Sequence, residues 1–169
     1  MTYSIAALNT MSQSEFTAAL ETVFEDTPEV ARRVWQRRPF RDLADLHQQM
    51  VAVVQAMTPD EQLALIRAHP DLGTRAKMAD ASVQEQAGAG LNRLSPEEYE
   101  RFQQLNRTYW ATFGFPFIVA VKNHTKESIL SEFERRLRNS ISDEQNQALA
   151  EINQIAWFRL LDLVDRSQP

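Results

Sequence analysis

The chain has 169 residues, 43% hydrophobic and 24% charged, with a formal net charge of -5 and no cysteine. That length fits one domain able to bury a core of its own. The acidic balance argues against a general nucleic-acid binder, and the missing cysteines exclude disulfides, thiolate metal sites and a cysteine nucleophile.

Helix-start signals recur along the chain, whereas hairpin signals and alternating apolar runs are scarce. Ser12 with Glu15 predicts a capping box ahead of Phe16, Leu20 and Val23. Thr27-Pro28 predicts a cap and a first-turn proline before Val30 and Val34. Asp42 opens a helix with the apolar face Leu43, Leu46, Met50, Val53, Val54 and Met57. Thr58-Pro59 with Glu61 opens the next, which must stop before Pro70. Ser82 with Glu85 reads first as another capping box. Ser95-Pro96 with Glu98 starts a helix carrying Phe102, Leu105, Tyr109 and Phe113, closed by Gly114. The apolar, β-branched stretch from Phe115 to Val121 is broken by Pro116 and predicts extended backbone, or a helix entry, inside the bundle. Thr125 caps a helix bearing Ile129, Leu130, Phe133 and Leu137. Ser142 with Gln145 opens the last helix, with Leu149, Ile152, Ala156, Leu160 and Leu163 in register. The expected fold is all-α: one domain over residues 1–169, a bundle of about eight helices.

No apolar run approaches the ~20 residues of a membrane span, and neither a secretory signal nor a peroxisomal address is present. The expectation is a soluble, cytoplasmic protein without nucleic-acid or membrane partners. Of the three histidines, His47 and His124 read as surface residues. His69 stands at a helix C-terminus, before Pro70-Asp71-Leu72-Gly73. Such a terminus favours the imidazolium, so His69 is a candidate proton donor, or equally a helix cap. No ligand spacing for zinc or iron occurs, nor a phosphate loop or nucleophile elbow. The three lysines, Lys77, Lys122 and Lys126, offer no strong Schiff-base candidate.

Four motifs in order carry a resemblance. They are His69-Pro70-Asp71-Leu72; Ser82-x-x-Glu85-Gln86 with Ala89-Gly90-Leu91; Phe102-x-x-Leu105-Asn106-x-x-Tyr109; and Phe113-Gly114-Phe115-Pro116-Phe117-Ile118. Together, from about Leu8 to Val164, they resemble the OHCU (2-oxo-4-hydroxy-4-carboxy-5-ureidoimidazoline) decarboxylase family. The resemblance implies an all-α enzyme of urate breakdown that forms (S)-allantoin without metal or organic cofactor. It implies a catalytic His69, with Pro70 lining the pocket, and substrate contacts from Ser82, Val83, Gln84, Glu85 and Gln86. It adds Phe117, Ile118, Val119, Ala120 and Val121, and a ligand-binding Arg159, with Arg135, Arg136 and Arg138 as nearby alternatives. Glu85 would hold the ring's N-H groups as a second catalytic residue. The partner is then a small ureidoimidazoline, and a homodimer is left open. One departure is a connection from Leu72 to Ser82 shorter than in many members. The competing reading is a helical interaction module, since His69-Pro70-Asp71 is also the tripeptide of J-domain co-chaperones. The helix before it, however, carries Asp60, Glu61 and one Arg67, where a J-domain needs a strongly basic helix.

Overall fold

The computed structural model describes residues 1–74 and 80–167. Lys77 and part of the Leu72–Ser82 connection lie outside the described residues. The chain forms two compact units, residues 1–65 with 153–169, and residues 66–152. Nine α-helices occur among the described residues, with no strand beyond an isolated parallel bridge, so the fold is all-α. None of these helices is long and apolar enough to cross a membrane.

The first unit holds α1 (Ile5–Thr10), α2 (Gln13–Leu20), α3 (Pro28–Val34), α4 (Leu43–Ala56), most of α5 (Pro59–Arg67) and the later part of α9 (Ile141–Leu163). The Ser12 and Glu15 side chains exchange hydrogen bonds with each other's backbone N-H, forming the expected box. Thr58 and Glu61 do the same at the start of α5, and Asp42 caps α4. The Thr27 hydroxyl instead donates to the Glu25 carbonyl at 2.7 Å, so α3 starts on Pro28 without a side-chain cap. Phe16, Leu20, Val30, Val34, Leu46 and Met50 are buried where α3 packs on α2 and α4. Each such side chain contributes about 1.5–3 kcal/mol when fully withdrawn from water. His47 is half-buried, bonded through Nε2 to the Asn153 carbonyl at 2.9 Å and edge-on to Trp157; the surface expectation for it gives way to this contact. The bridge joins Tyr3 to Val164 and ties the N-terminus to the end of α9.

The second unit holds α6 (Asp80–Gly88), α7 (Pro96–Phe113), α8 (Lys126–Arg136) and the start of α9. Helix α7 begins at the Ser95–Glu98 box and ends at Gly114, whose φ of 79° is the left-handed cap conformation glycine adopts without a Cβ penalty. Its apolar face puts Tyr109 among Phe113, Phe115, Phe117 and Phe133, with ring centroids 4.5–6.5 Å away. Phe115 to Val121 is buried irregular backbone, as expected, and ends in a 3₁₀ turn, Val121–Asn123, that packs on α6. Thr125 caps α8. The cap of α9 is Ser140, whose hydroxyl accepts from the Asp143 N-H, and not Ser142, which lies inside the helix.

Candidate active site

Proline disfavours a helical conformation in the residue before it; α5 ends at Arg67 and the chain turns through Ala68 and His69. The His69 N-H donates to the Ile66 carbonyl at 3.2 Å, and only 8% of the residue is exposed. The expected position at a helix C-terminus therefore holds.

The turn after Pro70 is held from two helices. From α7, the Asn106 Nδ2 donates to the Leu72 carbonyl at 2.8 Å, the Gln103 amide to the Gly73 carbonyl at 3.3 Å, and the Trp110 indole to Asp71 at 3.0 Å. From α6, the Gln86 Oε1 accepts from the Gly73 N-H at 3.1 Å. Gly73 itself has φ of 68°, and a Cβ there would stand 3.0 Å from Leu94 and 3.3 Å from Phe102. Arg67 Nε donates to the Gly114 carbonyl at 3.1 Å, linking the base of the His69 loop to the start of the Phe115–Val121 segment.

On α6, Ser82 and Gln86 are buried one turn apart, Glu85 is half-buried beside them, and Val83 and Gln84 are exposed. Ser82 follows two helical residues, so it cannot be an N-cap, and the capping-box reading of Ser82 with Glu85 falls. Phe117 to Val121 lies at 0–5% exposure. The His69 loop, α6 and this segment thus belong to one unit, joined by the Gly73–Gln86 bond and by the packing of α6 on the 3₁₀ turn. Arg159 belongs to the first unit, where its Nη1 donates to Glu25 at 2.8 Å and to the Thr22 carbonyl at 3.1 Å.

The second unit also contains a buried cluster, with half-buried Asn139 at its edge. Glu144 accepts from Tyr109 at 2.6 Å, from Arg136 Nε at 2.8 Å and from Asn139 at 2.8 Å. Arg136 Nη1 donates to the Ile118 carbonyl at 2.6 Å, and its guanidinium lies 4.4 Å over the Phe117 ring. Burial pushes the Tyr109 hydroxyl above the usual phenol range, and its bond to Glu144 adds to the effect. An extended buried segment needs partners for its carbonyls, and Arg136 supplies one. Among the described residues no cluster of three or more His, Cys, Asp and Glu could hold a metal ion.

The model of one family, OHCU decarboxylase, matches residues 9–161. The chain belongs to that family. A similar protein is the 2-oxo-4-hydroxy-4-carboxy-5-ureidoimidazoline decarboxylase of Halalkalicoccus jeotgali, 46% identical over 95% of this chain and 91% of that protein. The uric acid degradation bifunctional protein of Bacillus subtilis is 44% identical over 96% of this chain, which spans 33% of that protein. A crystal structure of (S)-allantoin synthase aligns with a TM-score of 0.79 at 29% identity, over 96% of this chain and 55% of that one. The family match takes in all four motifs, which the co-chaperone reading would leave unexplained after the first.

The sequence names Asn106 only within a motif and Arg136 only as an alternative to Arg159; the buried bonds of these two polar residues, set in apolar stripes, were not foreseen. Asn106 lies on the α7 face of Phe102, Tyr109 and Phe113, and Arg136 on the α8 face of Ile129 and Phe133. A buried polar residue on such a face needs a partner, and that requirement is the signal.

Proposed function

We propose that this chain decarboxylates 2-oxo-4-hydroxy-4-carboxy-5-ureidoimidazoline to (S)-allantoin, using its own side chains and the electron sink within the substrate. The observation that carries this reading is the family match over residues 9–161, which includes a buried His69 fixed at the end of α5. The ring carbon that bears the carboxylate adjoins a C=N bond. When the C–CO₂⁻ bond breaks, its electron pair enters that system, and the ring nitrogen takes a proton. The enol that remains is protonated on the ureido-bearing carbon while its hydroxyl becomes a carbonyl. His69 delivers this proton from one face, which sets the S configuration.

Glu85, half-buried on α6, accepts from the substrate's N-H groups, and Ser82 and Gln86 share its side of the helix. Backbone groups of Phe117 to Val121 offer further partners to an amide-rich ligand. For Arg159 the proposal is chemical: a planar cation suited to a carboxylate.

The test uses substrate made freshly by urate oxidation, with circular dichroism following the allantoin formed. The protein should accelerate the appearance of the S enantiomer, and His69→Asn should lose about 10²–10⁴ of that rate. Racemic product at the uncatalysed rate with the wild-type protein would overturn the reading. Normal turnover by His69→Asn would move the proton donor to Glu85.

A further inference from the structure

We propose that Asn106 of α7, assisted by Gln103, is a positioning residue for His69, acting through the Leu72–Gly73 backbone. The proposal rests on the reading of His69 given above. Gln103, Asn106 and Trp110 are spaced three and four residues apart, so one face of α7 presents all three to the turn that follows Pro70. Each takes a different group of that turn: the Gly73 carbonyl, the Leu72 carbonyl and the Asp71 carboxylate. Gln86 of α6 takes the Gly73 N-H from the other side.

The central contact is the one built most deeply. Asn106 is 3% exposed, and its 2.8 Å bond to Leu72 fixes the amide's orientation, because only its NH₂ can meet a carbonyl. Its Oδ1 has no partner among the described residues, so the side chain is held in the core for its donor alone. Leu72 stands three residues from His69, across the rigid ring of Pro70. A displaced Leu72 carbonyl would therefore swing the peptide that carries the imidazole. Misplacing a reacting group by about 1 Å can cost about 10²-fold in rate, which makes a backbone clamp consequential.

The experiment compares Asn106→Ala and Asn106→Leu with the wild type, alone and combined with His69→Asn. Leucine keeps the side-chain volume and removes only the hydrogen-bonding groups. Both variants should stay folded, lose about tenfold or more in kcat, and keep KM within about threefold, the signature of a loss confined to the transition state. On the His69→Asn background they should cost less than about twofold more, because the group they position is gone. The His69 ring signal in NMR should shift or broaden in the single variants.

A folded Asn106→Leu enzyme with wild-type kcat, beside an inactive His69→Asn, would overturn the clamp alone. So would an undiminished further loss on the His69→Asn background. Normal turnover by His69→Asn would overturn the reading of His69 and the clamp with it. Should both Asn106 variants unfold, the half-buried Gln103→Ala decides: a kcat loss of about threefold supports the clamp, and an unchanged kcat overturns it.

Discussion

Each compact unit buries an arginine against a glutamate, and the two pairs differ in how completely they are sealed. Arg136 and Glu144 have no exposed side-chain surface, whereas Arg159 and Glu25 keep 7% and 3%. Arg136 gives Nε to Glu144, Nη1 to a backbone carbonyl, and its face to Phe117. Both carboxylate oxygens of Glu144 are taken as well. The pair also joins the C-terminus of α8 to the first turn of α9, where the helix dipoles favour a cation and an anion respectively. Arg136 has no exposed surface and holds the Ile118 carbonyl, while its Nη2 has no partner among the described residues. Arg159 is held in a similar way, by Glu25 and the Thr22 carbonyl, but keeps a little exposed surface.

Removing one charge of the sealed pair should give the largest effect. Glu144→Gln would leave Arg136 buried without its counter-charge, a loss of about 3–5 kcal/mol. Thermal unfolding should show a Tm lower by about 6–20 °C. If Glu25→Gln cost as much, the contrast between the two pairs would fail. Tyr109→Phe keeps the charges and deletes one donor to Glu144, so about 1.5–3 kcal/mol should be lost in denaturant titration. Arg159→Lys keeps the charge and loses the planar fork, and KM should rise about tenfold, or about 1.4 kcal/mol, with Tm nearly unchanged. Equal kinetics would place Arg159 with Arg136 as a structural residue.

The smallest effect belongs to a half-buried pair near the surface, Arg33 with Glu61. The Arg33 guanidinium, then the Thr58 N-H, hold the Glu61 carboxyl down at about 2 from 4.5. A carboxyl depressed in the fold stabilises above its unfolded pKa, and that contribution fades as pH falls through the folded value. The Tm difference between wild type and Glu61→Gln should therefore be present at neutral pH, shrink below about pH 4.5, and vanish near pH 2. A constant difference across that range would assign it to the helix cap alone.

Most of the helices were legible because their boundaries are local chemistry. Ser12, Asp42, Ser95 and Thr125 each need only a neighbour one turn on, and that neighbour is in the sequence. Thr27 misled because its hydroxyl had a second acceptor nearby, the Glu25 carbonyl. Ser140 and Ser142 are both competent caps, and local spacing alone did not separate them. Helix α1 is six residues long, too short for a periodic apolar signal. His69 was legible from Pro70 and from the motif around it. The turn's supports were not, since Asn106 and Gln103 act on backbone 30 or more residues away. Those contacts exist only once α7 has docked.

Gly73 sets a boundary on how this protein can be diversified. A side chain there meets Leu94 and Phe102 at or inside contact distance, on backbone that L-residues rarely adopt. In a saturation library selected for turnover, every other residue at position 73 should be depleted. The exposed helical positions Val83 and Gln84, ten and eleven residues later, should accept wide variation in side chain wherever the backbone alone is read. A search for altered substrate range would do better to freeze the turn and vary the inward side of α6, where Ser82 and Glu85 lie.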